Sequence, residues 1–114
     1  MEDRLYWYQA RLVRVIDGDT IVVDLDLGCS IWLTEEHIRL SGINAPELHG
    51  KSVQSGYAAM ERLKQLLPAP GSMVLLHTHK DKRGSFQRLL ADVYIGNVNV
   101  NRRMVEEGYA VKFK

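Results

Sequence analysis

Apolar and polar positions alternate along much of the chain, the two-residue period of strands that bury one face. Tyr6, Tyr8, Ala10 and Leu12 alternate with polar or basic neighbours before Val13, Val15 and Ile16 thicken the apolar content, predicting a first strand over Tyr6–Ile16. Asp17-Gly18-Asp19 predicts a tight hairpin turn, with the glycine supplying positive φ. Thr20–Leu27 alternates clearly, with Ile21, Val23, Leu25 and Leu27 on one face and Asp24 and Asp26 on the other, and turns at Gly28. Ser30–Leu33 predicts a third strand, Thr34-Glu35-Glu36 a polar corner, and His37–Ile43 a further extended run that ends near Asn44, because Gly42 allows a bulge and Pro46 lacks a ladder donor.

The period then changes. After a polar loop over 48–55, Tyr57, Met60, Leu63, Leu66 and Leu67 recur at helical spacing, and Pro68-Ala69-Pro70-Gly71 ends that helix. Met73–His79 and Leu89–Ile95 predict the fourth and fifth strands, joined by the basic connection Lys80–Arg88, and Gly96-Asn97 predicts a turn. Asn99 is placed to cap a short helix running to Glu107 and closed by Gly108, and Tyr109–Phe113 reads as extended. This element order predicts an α+β fold, a five-stranded OB-type β-barrel with two helices packed on it.

At 114 residues the chain predicts one domain with one modest core, spanning residues 1–114. Apolar residues make up 46% and charged residues 25%, which excludes wholesale disorder. The formal net charge of +1 makes no global case for a polyanionic partner, so such a case rests on where the charges lie. A lone cysteine, Cys29, forms no internal disulfide and reads as a small packing residue in a reducing compartment. With no apolar run near the ~20 residues of a membrane span, and no signal-peptide pattern, the expectation is a protein without a membrane partner that is either cytoplasmic or a processed form whose signal was removed.

Three separated segments hold the candidate chemistry. Asp17 and Asp19 flank the first turn; Arg39, Asn44 and Glu47 lie at a strand end; Arg88 opens the fifth strand. Carboxylate and amide oxygens are hard ligands suited to Ca²⁺, and two guanidinium groups can fork onto phosphate oxygens. A glutamate beside a metal-bound phosphodiester could accept a proton from attacking water. Singly, each has a plainer explanation: a hairpin turn for Asp17-Gly18-Asp19, a rim ion pair of Arg39 with Glu35 or Glu36, a solvated loop acid for Glu47. His77 and His79 share a strand face, but without a third ligand they read as exposed positions rather than a zinc pair.

Taken together, Val15-Ile16-Asp17-Gly18-Asp19-Thr20, Arg39-Leu40-Ser41-Gly42-Ile43-Asn44-Ala45-Pro46-Glu47, Arg88 to Tyr94, Val98 to Asn101 and Glu107 to Ala110 resemble the staphylococcal (thermonuclease-type) nuclease family over roughly Ala10 to Ala110. The resemblance implies an OB-fold enzyme that uses Ca²⁺ to hydrolyse DNA and RNA phosphodiesters, typically leaving 3′-phosphates. It implies Asp19, Asn44 and the Ala45 backbone carbonyl at the metal, Glu47 as general base or water-orienting group, and Arg39 and Arg88 on the phosphate. It also points to Phe86 and Tyr109 near the nucleotide. Apart from the resemblance, the charges of Lys80, Lys82 and Arg83 beside Arg88, and of Lys51 in the loop after Glu47, read either as a solvated surface or as a guide for the polyanion.

Two departures from the family pattern stand out. Asn44 replaces an aspartate, which keeps an oxygen ligand but removes a charge and weakens Ca²⁺ binding. The chain also stops before the family's C-terminal helix, so either a monomer or a homodimer covering that face is expected. The competing reading is a non-catalytic OB-type module that binds nucleic acid or protein through a degraded metal site.

Overall fold

A computed structural model describes residues 5–46, 48, 53–83 and 89–113, with the backbone alone described at 53 and 80–83. Strands β1 (Trp7–Asp17), β2 (Thr20–Asp26) and β3 (Trp32–Leu40) form an antiparallel meander. A two-residue strand, β4 (Ile43–Asn44), precedes helix α1 (Val53–Leu66). Strands β5 (Met73–Arg83), β6 (Leu89–Ile95) and β7 (Val98–Asn99) follow, then helix α2 (Val100–Glu106) and strand β8 (Val111–Lys112).

The sheet runs β3-β2-β1-β5-β6-β7, and β3 returns to pair in parallel with β6, Ile38 opposite Leu89 and Leu40 opposite Ala91. That pairing closes β1, β2, β3, β5 and β6 into the expected five-stranded mixed barrel with two helices. Its interior takes alternate residues: Ala10 and Leu12, Ile21 and Val23, Ile38 and Leu40, Val74 and Leu76, Ala91 and Val93 are all buried. A second ladder, β4 with β8, pairs Ile43 with Lys112 and Asn44 with Val111.

The structure corrects several local readings. The polar corner at Thr34-Glu35-Glu36 is not a break: β3 runs through it, with Glu35 at φ 55° in a bulge whose N–H donates to Asp24 Oδ1 at 3.0 Å. Glu35 then pairs with Arg14 at 3.1 Å rather than with Arg39. The β2–β3 turn places Cys29 and Ser30 at φ 56° and 63°, so Cys29 is an exposed turn residue and not a packing one. Leu27 is 43% exposed rather than part of the buried face of β2. In α1, Tyr57 is exposed, while Gly56, Ala59 and Leu63 face the barrel. The fourth strand also extends beyond His79 to Arg83.

Helix α2 begins as expected, with the Asn99 side chain accepting from the Arg102 N–H at 3.1 Å. Its second residue, Asn101, is 3% exposed and ties three segments together. Its amide nitrogen donates to the carbonyls of Ser41 and Ala91 at 2.9 and 3.0 Å and to Asp92 Oδ1 at 3.0 Å, and its oxygen accepts from the Val93 N–H at 3.1 Å. Truncating this side chain strands buried backbone groups, each worth about 1–3 kcal/mol when left unpaired. Asn101→Ala is therefore expected to lose roughly 3 kcal/mol of stability. Urea denaturation checks it, and an unchanged midpoint would remove Asn101 as the fastener.

Candidate active site

The β1–β2 turn supplies the site's acids. Asp17 and Thr20 are paired across it, leaving Gly18 and Asp19 as the two-residue loop. Gly18 is not in the left-handed region, so the expected reason for a glycine is wrong here. A Cβ at this position would lie 2.7 Å from the Ala59 Cβ and 2.8 Å from the Ala45 Cβ, so close approach is what requires it.

Asp19 is 7% exposed and its carboxylate is densely engaged. Oδ2 accepts the Ala45 N–H at 2.8 Å and meets Arg39 Nη1 at 3.2 Å, while Oδ1 accepts from the Thr20 hydroxyl at 3.2 Å. The Asp19 carbonyl accepts the Leu40 N–H at 2.8 Å, which anchors the turn to the end of β3. Arg39, paired with Thr20 across β2 and β3, also donates through Nη2 to Asn44 Oδ1 at 3.0 Å and through Nη1 to the Leu40 carbonyl at 3.2 Å. The oxygens of Asp19 and Asn44 thus converge on one cation, the guanidinium.

Asp17 lies beside this cluster and accepts the Asp19 N–H at 3.0 Å. Burial, helped by a shared hydrogen bond with the Asp19 carboxyl, pushes its pKa up to about 6. The folded state therefore holds a proton that the unfolded chain releases near pH 4, so stability falls as pH rises from about 4 to about 6 and then levels off. Asp17→Asn keeps the acceptor for the Asp19 N–H and removes the titration. In metal-free buffer the variant is expected to gain thermal stability over wild type as pH rises through that window. A pH-independent difference in Tm between pH 4 and 7 would refute the shift.

Of the sequence-predicted residues, the structure brings together Asp19, Arg39, Asn44 and Ala45. Tyr109 is partly buried against the core, next to the end of α2. Glu47, Lys51, Phe86 and Arg88 lie outside the described residues, as does the Lys82 side chain. Two contributors were not anticipated: the Thr20 hydroxyl and the Ala45 N–H, both on Asp19. The adjacency of Thr20 to Asp19 was a usable signal, whereas a backbone donor has no signature in sequence. His77 and His79 do not form a metal cluster, and among the described residues no group of three or more His, Cys, Asp or Glu could hold one.

The donor chemistry nevertheless fits a hard cation. Asp19 and Asn44 present oxygens to a point where a positive charge already sits, and Ala45 follows directly in the same loop. A divalent ion there would compete with the Arg39 guanidinium for both oxygens.

Residues 37–114 match the family described as staphylococcal nuclease homologue, and the chain belongs to that family. Individual relatives agree. A thermonuclease of Staphylococcus hyicus is 32% identical over 88% of this chain and 56% of its own length. A thermonuclease of Staphylococcus intermedius is 34% identical, over 85% of this chain and 55% of its own length. An uncharacterized endonuclease of Haemophilus influenzae is also 34% identical, over 91% of this chain and 52% of its own length. The chain spans about half the length of the curated relatives it matches. This is the SNase-like OB barrel, in a protein whose distant relatives include proteins named thermonuclease and endonuclease.

Proposed function

We propose that the chain is a Ca²⁺-dependent phosphodiesterase that hydrolyses DNA, RNA or both with low sequence specificity and leaves 3′-phosphate ends. The observation that carries the reading is the convergence of Asp19 Oδ2 and Asn44 Oδ1 on the Arg39 guanidinium, at 3.2 and 3.0 Å. Family membership and the printed names of the nuclease relatives support it.

In this reading Asp19, Asn44 and the Ala45 carbonyl would hold Ca²⁺, which would supply charge neutralisation at the phosphate. Arg39 turns its fork from the two oxygens to two phosphate oxygens, exchanging a carboxylate partner for another anion at little electrostatic cost. Arg88 supplies the second fork. Glu47 orients a water and takes its proton as the water oxygen bonds to phosphorus and the bond to the 5′ oxygen breaks, that oxygen taking a proton from solvent to leave as the 5′-hydroxyl. Pre-placed donors of this kind stabilise the charge that builds on the equatorial oxygens. Lys51, Lys82, Phe86 and Tyr109 are proposed substrate contacts.

Incubation with single-stranded DNA, in Ca²⁺ and in chelator, tests the reading. Cleavage is expected in Ca²⁺ alone, with 3′-phosphate ends; intact DNA in both at high protein concentration would overturn it. Asn44→Asp restores a ligand charge and is expected to tighten Ca²⁺ binding about tenfold.

One observation favours the non-catalytic module. Both carboxylate oxygens of Asp19 already have partners, so this residue could serve only to fasten the turn to the Ala45 loop. Calcium calorimetry with and without a nucleotide diphosphate separates the two: nucleotide-enhanced Ca²⁺ uptake supports the enzyme, and nucleic-acid binding indifferent to Ca²⁺ supports the module.

A further inference from the structure

A sheet's solvent face in a small barrel is normally polar, yet the outer face of β1, β5 and β6 carries a cluster of rings. Alternation turns Ala10 and Leu12, Val74 and Leu76, and Ala91 and Val93 inward, so Trp7, His77, His79 and Tyr94 face out. Trp7 and His77 are directly paired across β1 and β5 and stack flat, with centroids 4.2 Å apart and planes within 3°. Tyr94 tilts against Trp7 at 5.1 Å, and His79 against His77 at 6.0 Å. All four rings are only half-buried, so the cluster is not an extension of the core.

This cluster is continuous with the candidate active site. Two residues after Arg39, the Ser41 hydroxyl lies 2.7 Å from His79 Nε2 and 3.3 Å from Asp92 Oδ1. Asp92 is in turn paired with His77 across β5 and β6, and it is held by the Asn101 amide at 3.0 Å. The strand order β3-β6-β5-β1 places Trp7 three strand spacings from Arg39, and with Arg39 opposite Leu90 and His77 opposite Asp92 the two are also offset along the strands, so they lie no less than about 14 Å apart along the barrel surface. Positive charge at the near end of the cluster comes from Arg39, and beyond His79 β5 continues through Lys80, Asp81, Lys82 and Arg83.

Flat aromatic surfaces beside a cationic track are how OB barrels hold single strands, because every base has a face to stack and the backbone needs only positive charge. We propose that Trp7, His77 and Tyr94 form a stacking platform for bases of the substrate strand outside the scissile linkage. The occupant is a single-stranded stretch of DNA or RNA whose phosphate lies at Arg39. The platform rests on the phosphodiesterase reading for its link to turnover, but not for binding itself. At ~14 Å or more the platform is out of reach of a dinucleotide and within the roughly 4–16 nucleotides that an OB barrel covers.

Titrating octathymidylate and dithymidylate in chelator, against a Trp32→Phe variant that keeps Trp7 as its lone indole, tests this. Octathymidylate is expected to quench the Trp7 fluorescence, and dithymidylate is not. Trp7→Ala is expected to weaken octathymidylate binding about 5- to 100-fold, with Trp7→Phe retaining most of the affinity. Thermal midpoints of both variants show whether the fold is kept. In the Ca²⁺-activated enzyme the same change should raise KM for the octamer and leave kcat alone. An unquenched Trp7, or Trp7→Phe and Trp7→Ala both within twofold of wild type in octamer affinity, overturns the platform. Hydrolysis without Trp7 dependence sinks the platform and spares the nuclease; Trp7-dependent binding without hydrolysis does the reverse; a protein that neither binds nor cleaves loses both.

Discussion

Arg39→Ala is expected to lower phosphodiester hydrolysis by about a thousandfold, the scale on which removing one pre-placed donor of charge stabilisation is felt. The argument has two sides. Toward the phosphate, the planar fork engages two oxygens at once, so Arg39→Lys keeps the charge, loses the geometry, and is expected to recover little of the rate. Toward the protein, the guanidinium holds Asp19 and Asn44 at 3.2 and 3.0 Å and so competes with any metal for them. Removing it should therefore tighten Ca²⁺ binding in the absence of nucleotide while turnover falls. Activity within tenfold of wild type would take Arg39 out of the mechanism, and unchanged Ca²⁺ affinity would separate the guanidinium from the metal ligands. The variant also loses a largely enclosed ion-pair partner of Asp19, so its thermal midpoint should fall in chelator and recover with Ca²⁺.

The second large effect is structural and needs no assay of activity. Gly18→Ala is expected to destabilise the domain by about 1–3 kcal/mol, and Gly18→Val by more. The atoms a new Cβ would strike, the Cβ of Ala59 at 2.7 Å and of Ala45 at 2.8 Å, are fixed to the backbone and cannot rotate away. Either α1 lifts from the barrel or the Ala45 loop moves. Because the Ala45 N–H is the 2.8 Å donor to Asp19, the second response disturbs the site as well. Pairing Gly18→Ala with Ala59→Gly vacates one side of the clash and is expected to recover part of the loss, which a double-mutant cycle in urea measures. A Gly18→Ala protein as stable as wild type would show that the turn tolerates a side chain after all.

The barrel was legible because burial on one face writes a two-residue period into each strand, and no competing pattern overlays it. What misled was turn chemistry. Asp17-Gly18-Asp19 looks like a glycine serving backbone conformation, whereas Gly18 serves packing, and although Gly28 announces the β2–β3 turn, nothing in the sequence shows that Cys29 and Ser30 follow it into the left-handed region. Glu35 sits in a polar trio that reads as a corner, because a bulge leaves the strand's pairing intact while breaking its alternation. In α1, the large Tyr57 drew attention from Gly56 and Ala59, whose small size lets the helix sit close to the barrel. Asp19, Arg39 and Asn44 could be found from their motifs. The fastening of Asp19 to a backbone amide 26 residues away could not, since it uses no side chain at the far end.

The two halves of this site are held by ladders of very different length. Asp19 and Arg39 belong to the barrel, whose strands open only with the whole domain, but Asn44 rests on the two-residue pairing of β4 with β8 and the Phe113 N–H to Gly42 carbonyl bond at 2.8 Å. So short a ladder, closed by segments nearly seventy residues apart, can fray without unfolding anything else. The amide of Phe113 should accordingly exchange with deuterium far faster than that of Leu40, so that the C-terminal strand can lift from this end of the site while Arg39 and the Ala45 N–H still hold the loop to the barrel.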